Sequence, residues 1–182
     1  MKNQRWIWLG ALGATSGVVG GTSPLLARAE IYMSEKQAAS EFFPSEKLVF
    51  EIIELTPTQV RAIEQKSGQN VRDNKLKLWR GPGKQAVFID RVVGKHEFIT
   101  YCVGIDPEGK VRGIEILEYR ETFGHQVRGA EWRKQFVGKT KNAPLKLDRD
   151  ISNISGATLS SAHITSGVKR LLQTYAQIFQ AS

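Results

Sequence analysis

Cysteine is almost absent: Cys102 is the only one in 182 residues, so no intramolecular disulfide can form and no cysteine cluster has metal-binding spacing. It sits in a strand-like run and reads as a small buried apolar side chain. Histidine is scarce too. His96, His125 and His163 stand apart from one another and from Cys102, with no pair four residues apart on a helix. No serine sits in a Gly-x-Ser-x-Gly elbow. The Gly81-Pro82-Gly83-Lys84 run is too short to cradle a phosphate and reads as a turn into the first strand of a sheet. No catalytic residue and no metal ligand is therefore expected. Internal repeats, low-complexity tracts and interdomain linkers are missing as well, which leaves one domain.

What is present is an ordinary globular composition, 41% hydrophobic and 24% charged. A chain of this size buries roughly 68–70% of its unfolded surface and needs no staples. The first 29 residues differ from the rest. Lys2 and Arg5 precede a charge-free, mostly apolar run from Trp6 to Leu26, and Ala27-Arg28-Ala29 places small residues where a signal peptidase reads. Residues 1–29 are thus expected to direct export to the periplasm. They are either cleaved or kept as an inner-membrane anchor, since the run is near the roughly 17–25 residues a membrane span needs.

The formal net charge is +8. Three positive charges and no acid lie in the leader, which leaves +5 for the remainder. Those cations are scattered among acids and form no arginine-rich stripe, so nucleic acid is not an expected partner; the charge suits solubility and docking to an acidic partner.

Helical and extended patterns alternate along the chain. Ser34-Glu-Lys-Gln37 is a capping box before a short apolar face that Pro44 ends. Lys47–Leu55 alternates weakly as a strand, and Thr56-Pro57-Thr58-Gln59 opens a second helix that Gly68 stops. Gln85–Val93, His96–Ile105 and Lys110–Tyr119 are rich in Val, Ile, Phe and Tyr, with turns at Gly94-Lys95 and Asp106-Pro107-Glu108-Gly109, and predict an antiparallel meander. Gly129–Phe136 is a further helical stretch. Lys139–Asp150 is a polar connection with room for one short strand. Ile164, Val168, Leu171, Leu172, Tyr175, Ile178 and Phe179 recur at helical spacing over about Ser160 to Gln180. The expected fold class is α+β: an antiparallel sheet packed against helices, with an amphipathic C-terminal helix.

One stretch carries chemistry. Asp150-Ile-Ser-Asn-Ile-Ser155-Gly156-Ala157-Thr158-Leu159-Ser160-Ser161 sets hydroxyls and a Gly-Ala pair at the start of the last helix. A helix N-terminus offers unpaired backbone N–H groups and a partial positive charge, and Gly156 and Ala157 do not screen that backbone from an anion. By itself the pattern reads as an ordinary N-cap.

Ser155-Gly-Ala-Thr158-Leu-Ser-Ser161 resembles the flavinylation motif of the FMN-binding domain family, found in the C subunit of sodium-pumping NADH:quinone oxidoreductase, the G subunit of Rnf complexes and stand-alone exported proteins. Gly104-Ile-Asp-Pro-Glu-Gly109 through Glu121-Thr122-Phe123-Gly124 is similar to that family's strand, turn, strand and Glu-Thr-x-Gly loop, and Trp132–Gly138 to the segment after it. Two departures are visible. Ser152 stands where many members have an acid, with Asp150 out of register, and Phe123-Gly-His125-Gln126 follows Glu-Thr as in the stand-alone proteins.

The resemblance implies an FMN-binding core over 85–182, preceded by a helical segment over 30–84. It implies FMN joined to Thr158 by a phosphodiester that a separate flavin transferase makes from FAD with Mg²⁺. Ser155, Gly156, Ala157, Leu159 and Ser160 would surround that phosphate, and Glu121, Thr122 and Gly124 would approach the ring. The implied role is an electron carrier, not a stand-alone enzyme, working between a protein donor and acceptor in a membrane-bound redox system. The rival reading is a non-redox exported module that uses the same helix N-terminus for a partner or an anionic ligand.

Overall fold

The computed structural model describes residues 30–121 and 123–180. The expected leader and Thr122 lie outside the described residues. The chain runs β1 (Glu30–Ile31), α1 (Glu35–Phe42), β2 (Val49–Glu54), α2 (Pro57–Ser67), β3 (Lys75–Arg80), β4 (Ala86–Val93), β5 (Phe98–Ile105), β6 (Val111–Tyr119), a 3₁₀ turn (His125–Arg128), α3 (Ala130–Lys134) and α4 (Thr158–Tyr175), which widens into a π turn (Ala176–Gln180). All strands pair antiparallel in one six-stranded sheet of order β1-β6-β5-β4-β3-β2. The result is a single α+β domain.

Both early helices begin on the expected capping boxes. Ser34 Oγ accepts the Gln37 N–H at 3.2 Å while Gln37 Oε1 accepts the Ser34 N–H at 3.0 Å, and Thr56 and Gln59 repeat the arrangement. Pro57 opens α2, and Gly68 ends it at φ 69°.

The 30–84 segment, expected to be helical, also supplies three strands. Lys75-Leu76-Lys77-Leu78 accounts for β3, which was not expected: its leucines are buried and its lysines exposed, the alternation of a strand with one covered face. Gly81–Lys84 accordingly joins β3 to β4 within the sheet. The last helix starts at Thr158, two residues before the expected Ser160, because Ala157 already acts as its N-cap residue.

Alternation divides the core between the two faces of the sheet. Phe88, Tyr101, Val103, Ile114 and Ile116 point to α2 and α4, and meet Ile63, Ile164, Val168 and Leu171. Val87, Ile89, Cys102 and Leu117 point the other way, to Ala38, Ala39 and Phe43 of the α1 layer. Burial drives the Cys102 thiol well above its ordinary pKa, so it is an inert core side chain. Phe42 of α1 lies over Gly104 and Gly113, where a Cβ would come within 2.8 and 2.6 Å of its ring.

The β5–β6 register slips between Thr100 and Tyr101: Tyr101 pairs Ile116 but Thr100 pairs Glu118, so Leu117 is a bulge. Side chains alternate along a strand, so an odd residue would face opposite Ile116; the extra residue reverses this. Tyr119 thereby joins Ile114 and Ile116 on the face that meets α4. Among the described residues no helix is long and apolar enough to cross a membrane.

Candidate functional site

Three segments meet at the start of α4: the turn before it, the loop that leaves β6, and the β4–β5 hairpin tip. Ala157 N–H donates to the Ile154 carbonyl at 2.9 Å, closing a tight turn with Ser155 and Gly156 at its centre. Gly156 sits at φ 80°, the left-handed region that such a turn demands at its third residue, and a Cβ there would meet no atom within 4 Å. The constraint is backbone conformation and not space. Asn153 braces the turn from below, its Oδ1 accepting the Ile154 N–H at 2.8 Å and the Ser161 hydroxyl at 3.2 Å.

Thr158 is the first residue of α4 and is exposed. No side chain caps this helix, unlike α1 and α2. Its opening backbone N–H groups therefore have no side-chain partner, and the positive end of the helix dipole lies behind them. Ser161, at the end of the motif, turns inward and bonds the Ala157 and Thr158 carbonyls at 3.0 and 3.1 Å. Leu159 and Phe123 leave large apolar side chains in solvent on this surface, at 48% and 78% exposure.

The β6 loop is locked to α4 by Tyr119. Its hydroxyl donates to the Phe123 carbonyl at 2.5 Å and lies 3.3 Å from Ser160 Oγ. Gly124, at φ 93°, fills the space between them: a Cβ there would fall 2.5 Å from the Tyr119 hydroxyl and 3.2 Å from Ser160 Oγ. Burial raises the Tyr119 pKa, so the phenol stays a donor.

Glu121 faces the hairpin. Its Oε1 accepts the His96 N–H at 2.5 Å and the Glu97 N–H at 2.9 Å. Burial pushes this carboxyl up, but the N–H groups of Glu97, His96 and Lys95 outweigh it and hold its pKa below the ordinary value. Gly94 makes the contact possible, since a Cβ on it would strike the same carboxylate at 2.6 Å.

Together these segments enclose a cleft of about 360 Å³ lined by Lys95, His96, Glu121, Phe123 and Gly156–Ser160. Of the residues singled out from sequence, Glu121, Gly156, Ala157, Thr158, Leu159 and Ser160 line it. Ser155 is exposed at the centre of the turn, and Gly124 lies behind the cleft at the loop–helix junction. Tyr119, Lys95 and His96 were not anticipated. Tyr119 could be found only from the bulge, while Gly94-Lys95 carried a signal as a hairpin turn. Asp150 does not replace the acid absent at Ser152. Its carboxylate accepts the Leu145 and Lys146 N–H groups and pairs Lys139 at 2.9 Å, while the Ser152 carbonyl accepts the Trp132 indole N–H at 2.8 Å.

The uncapped helix start, its exposed threonine and this cleft lie in or beside a stretch that matches a known family. Residues 94–173 match the model of the FMN-binding domain family. It is similar to the G subunit of the Na(+)-translocating ferredoxin:NAD(+) oxidoreductase complex of Acetobacterium woodii, with 31% identity over 86 residues, 42% of each chain. It thus spans under half the length of the curated relative it matches. In structure it resembles the C subunit of the Na(+)-translocating NADH-quinone reductase from Parabacteroides distasonis, with a TM-score of 0.51 at 12% identity over 84% of this chain and 86% of that one. That likeness is one of fold.

Proposed function

We propose that this protein is an exported electron carrier that holds FMN covalently through the Thr158 hydroxyl. The observation that supports it most is the exposed Thr158 at the uncapped start of α4, inside the matched domain. The residues present suit the group. Amides at the helix start without a side-chain cap can take the two non-bridging phosphodiester oxygens, which share one negative charge, and the Lys95 ammonium adds a cation at the cleft wall. Exposed Phe123 and Leu159 offer apolar surface to a flat aromatic ring. FMN, when bound, supplies the redox chemistry; the protein attaches and orients it.

The chain's own residues do the positioning. Gly156 shapes the turn that presents Thr158, and Ser155 lies exposed beside it. Tyr119 and Ser160 fix the β6 loop against the same helix turn, with Ala157 and Gly124 packed in the junction. Glu121 holds the hairpin tip that forms the opposite wall. Maturation requires a flavin transferase that uses FAD and Mg²⁺, and the electron donor and acceptor are proteins of a membrane-bound redox system in the periplasm. The relative from Acetobacterium woodii, by name a subunit of an oxidoreductase complex, supports protein redox partners.

The test is intact mass under denaturing conditions. Protein made together with a flavin transferase should stay yellow when unfolded and gain one FMN less one water. Thr158→Ser should retain the adduct and Thr158→Val should lack it. A colourless wild-type protein in that experiment would favour a non-redox binding module, and covalent flavin on Thr158→Val would move the attachment elsewhere.

A further inference from the structure

Arg170 is 9% exposed, on the face of α4 that meets the sheet. One guanidinium nitrogen donates to Asp90 Oδ2 at 2.6 Å, and the same oxygen accepts the Tyr101 hydroxyl at 2.5 Å. A guanidinium carries five N–H donors on three nitrogens, and the other two nitrogens have no partner among the described residues. Beside them is a second, smaller cleft of about 170 Å³, whose lining includes Asn70, Arg72, Arg91, His163, Ser166 and Arg170. No carboxylate lines it. Asp90 balances Arg170 from behind, but Arg72 forms no hydrogen bond or ion pair with any described residue, and Arg91 only lies over the Phe98 ring at 5.2 Å.

Guanidinium groups left unpaired around a concavity repel one another, and such an arrangement gains most from an oxyanion that several of them share. We propose that this cleft is a site for a small phosphate-class oxyanion, either free or as the monoester end of a larger molecule. Its volume sets the class. Sites for drug-sized ligands run from about 300 Å³ upward, so a flavin or nucleotide does not fit whole, whereas one tetrahedral anion does.

The position also gives the site meaning. His163 lies one helical turn beyond Leu159, its Nδ1 within 2.5 Å of the Val93 carbonyl, and Val93 leads into the hairpin that walls the Thr158 cleft. The oxyanion site therefore adjoins the Thr158 cleft along α4 while sharing no lining residue with it.

The experiment is a ¹⁵N NMR titration of the full chain made without any flavin transferase, so its outcome is independent of flavin attachment. Inorganic phosphate and glycerol 3-phosphate are the two ligands, with acetate at matched ionic strength as control. Saturable shifts at Arg91, Val92, Ser166 and Gly167 are expected with phosphate, and stronger binding of glycerol 3-phosphate would identify a monoester as the preferred source. The Arg72→Gln, Arg91→Gln double variant should bind at least about tenfold more weakly, with unchanged peaks elsewhere to show that it folds. Lys146→Gln, in a separate groove, should bind as wild type. Non-saturating shifts, equal shifts with acetate, or undiminished binding by the double variant would overturn the proposal.

Discussion

Tyr119 and Ser160 meet hydroxyl to hydroxyl at 3.3 Å across 41 residues of sequence. This contact, with the bond from Tyr119 to the Phe123 carbonyl, is the direct tie between the β6 loop and the first turn of α4. It exists because the Leu117 bulge reverses the facing of the residues after it. Replacing Tyr119 by Phe keeps the ring in the core but leaves the Ser160 hydroxyl and the Phe123 carbonyl without their shared partner. A loss of about 1–2 kcal/mol is expected, read as a lower urea midpoint at unchanged slope. Flavin attachment should also slow, because the loop wall loosens. A variant with the stability loss but wild-type attachment kinetics would confine Tyr119 to the fold.

Glu121 makes a pH-dependent clasp. Its pKa is depressed in the folded protein, so its contribution to stability is fully present above the unfolded carboxyl value and is lost as pH falls through the folded one. The His96 and Glu97 amide resonances should therefore titrate together in acid, below the ordinary glutamate range. Glu121→Gln should abolish that titration, and the difference in melting temperature between wild type and variant should shrink on acidification. An unchanged titration in the variant would assign it to another group.

Most of this architecture was legible where local signals and burial agree. The capping boxes at Ser34 and Thr56 mark helix starts because the bonds they make lie within four residues. Likewise β4, β5 and β6 are apolar enough on both faces to declare themselves. β3 escaped although its Lys-Leu alternation is local; the rest of what escaped is set by partners distant in the chain. β1 is only two residues long and exists through its pairing with Tyr119 and Glu118. Of the candidate site, the turn that leads into Thr158 was legible, because its conformation is local. The roles of Tyr119, Lys95 and His96 were not, because a one-residue register slip and a carboxylate 24–25 residues away decide them.

Phe42 tests how the α1 layer is seated. Gly113→Val would drive side-chain carbons into its ring, and overpacking of this kind costs about 1–3 kcal/mol. Phe42→Ala removes the obstacle at the expense of its own contacts. The double variant should accordingly lose less stability than the two single losses added, a coupling that a chemical-denaturation cycle measures. Additive losses would show that α1 does not bear on the sheet through this ring.

Gly156 separates backbone conformation from crowding at the turn before Thr158. A Cβ there meets nothing, so any effect of substitution has to come from φ 80°. Asparagine tolerates the left-handed region better than alanine, and a β-branched residue tolerates it least. Stability and the rate of flavin attachment should fall in the order Gly156, Asn, Ala, Val, with Gly156→Ala costing about 1 kcal/mol. The two readouts should move together, since a turn that relaxes to negative φ also turns Thr158 away from the open amides of α4. If all three variants were equally impaired in attachment while their stabilities followed the expected order, the glycine would matter through direct contact with the transferase, and the turn geometry would not be what presents the threonine.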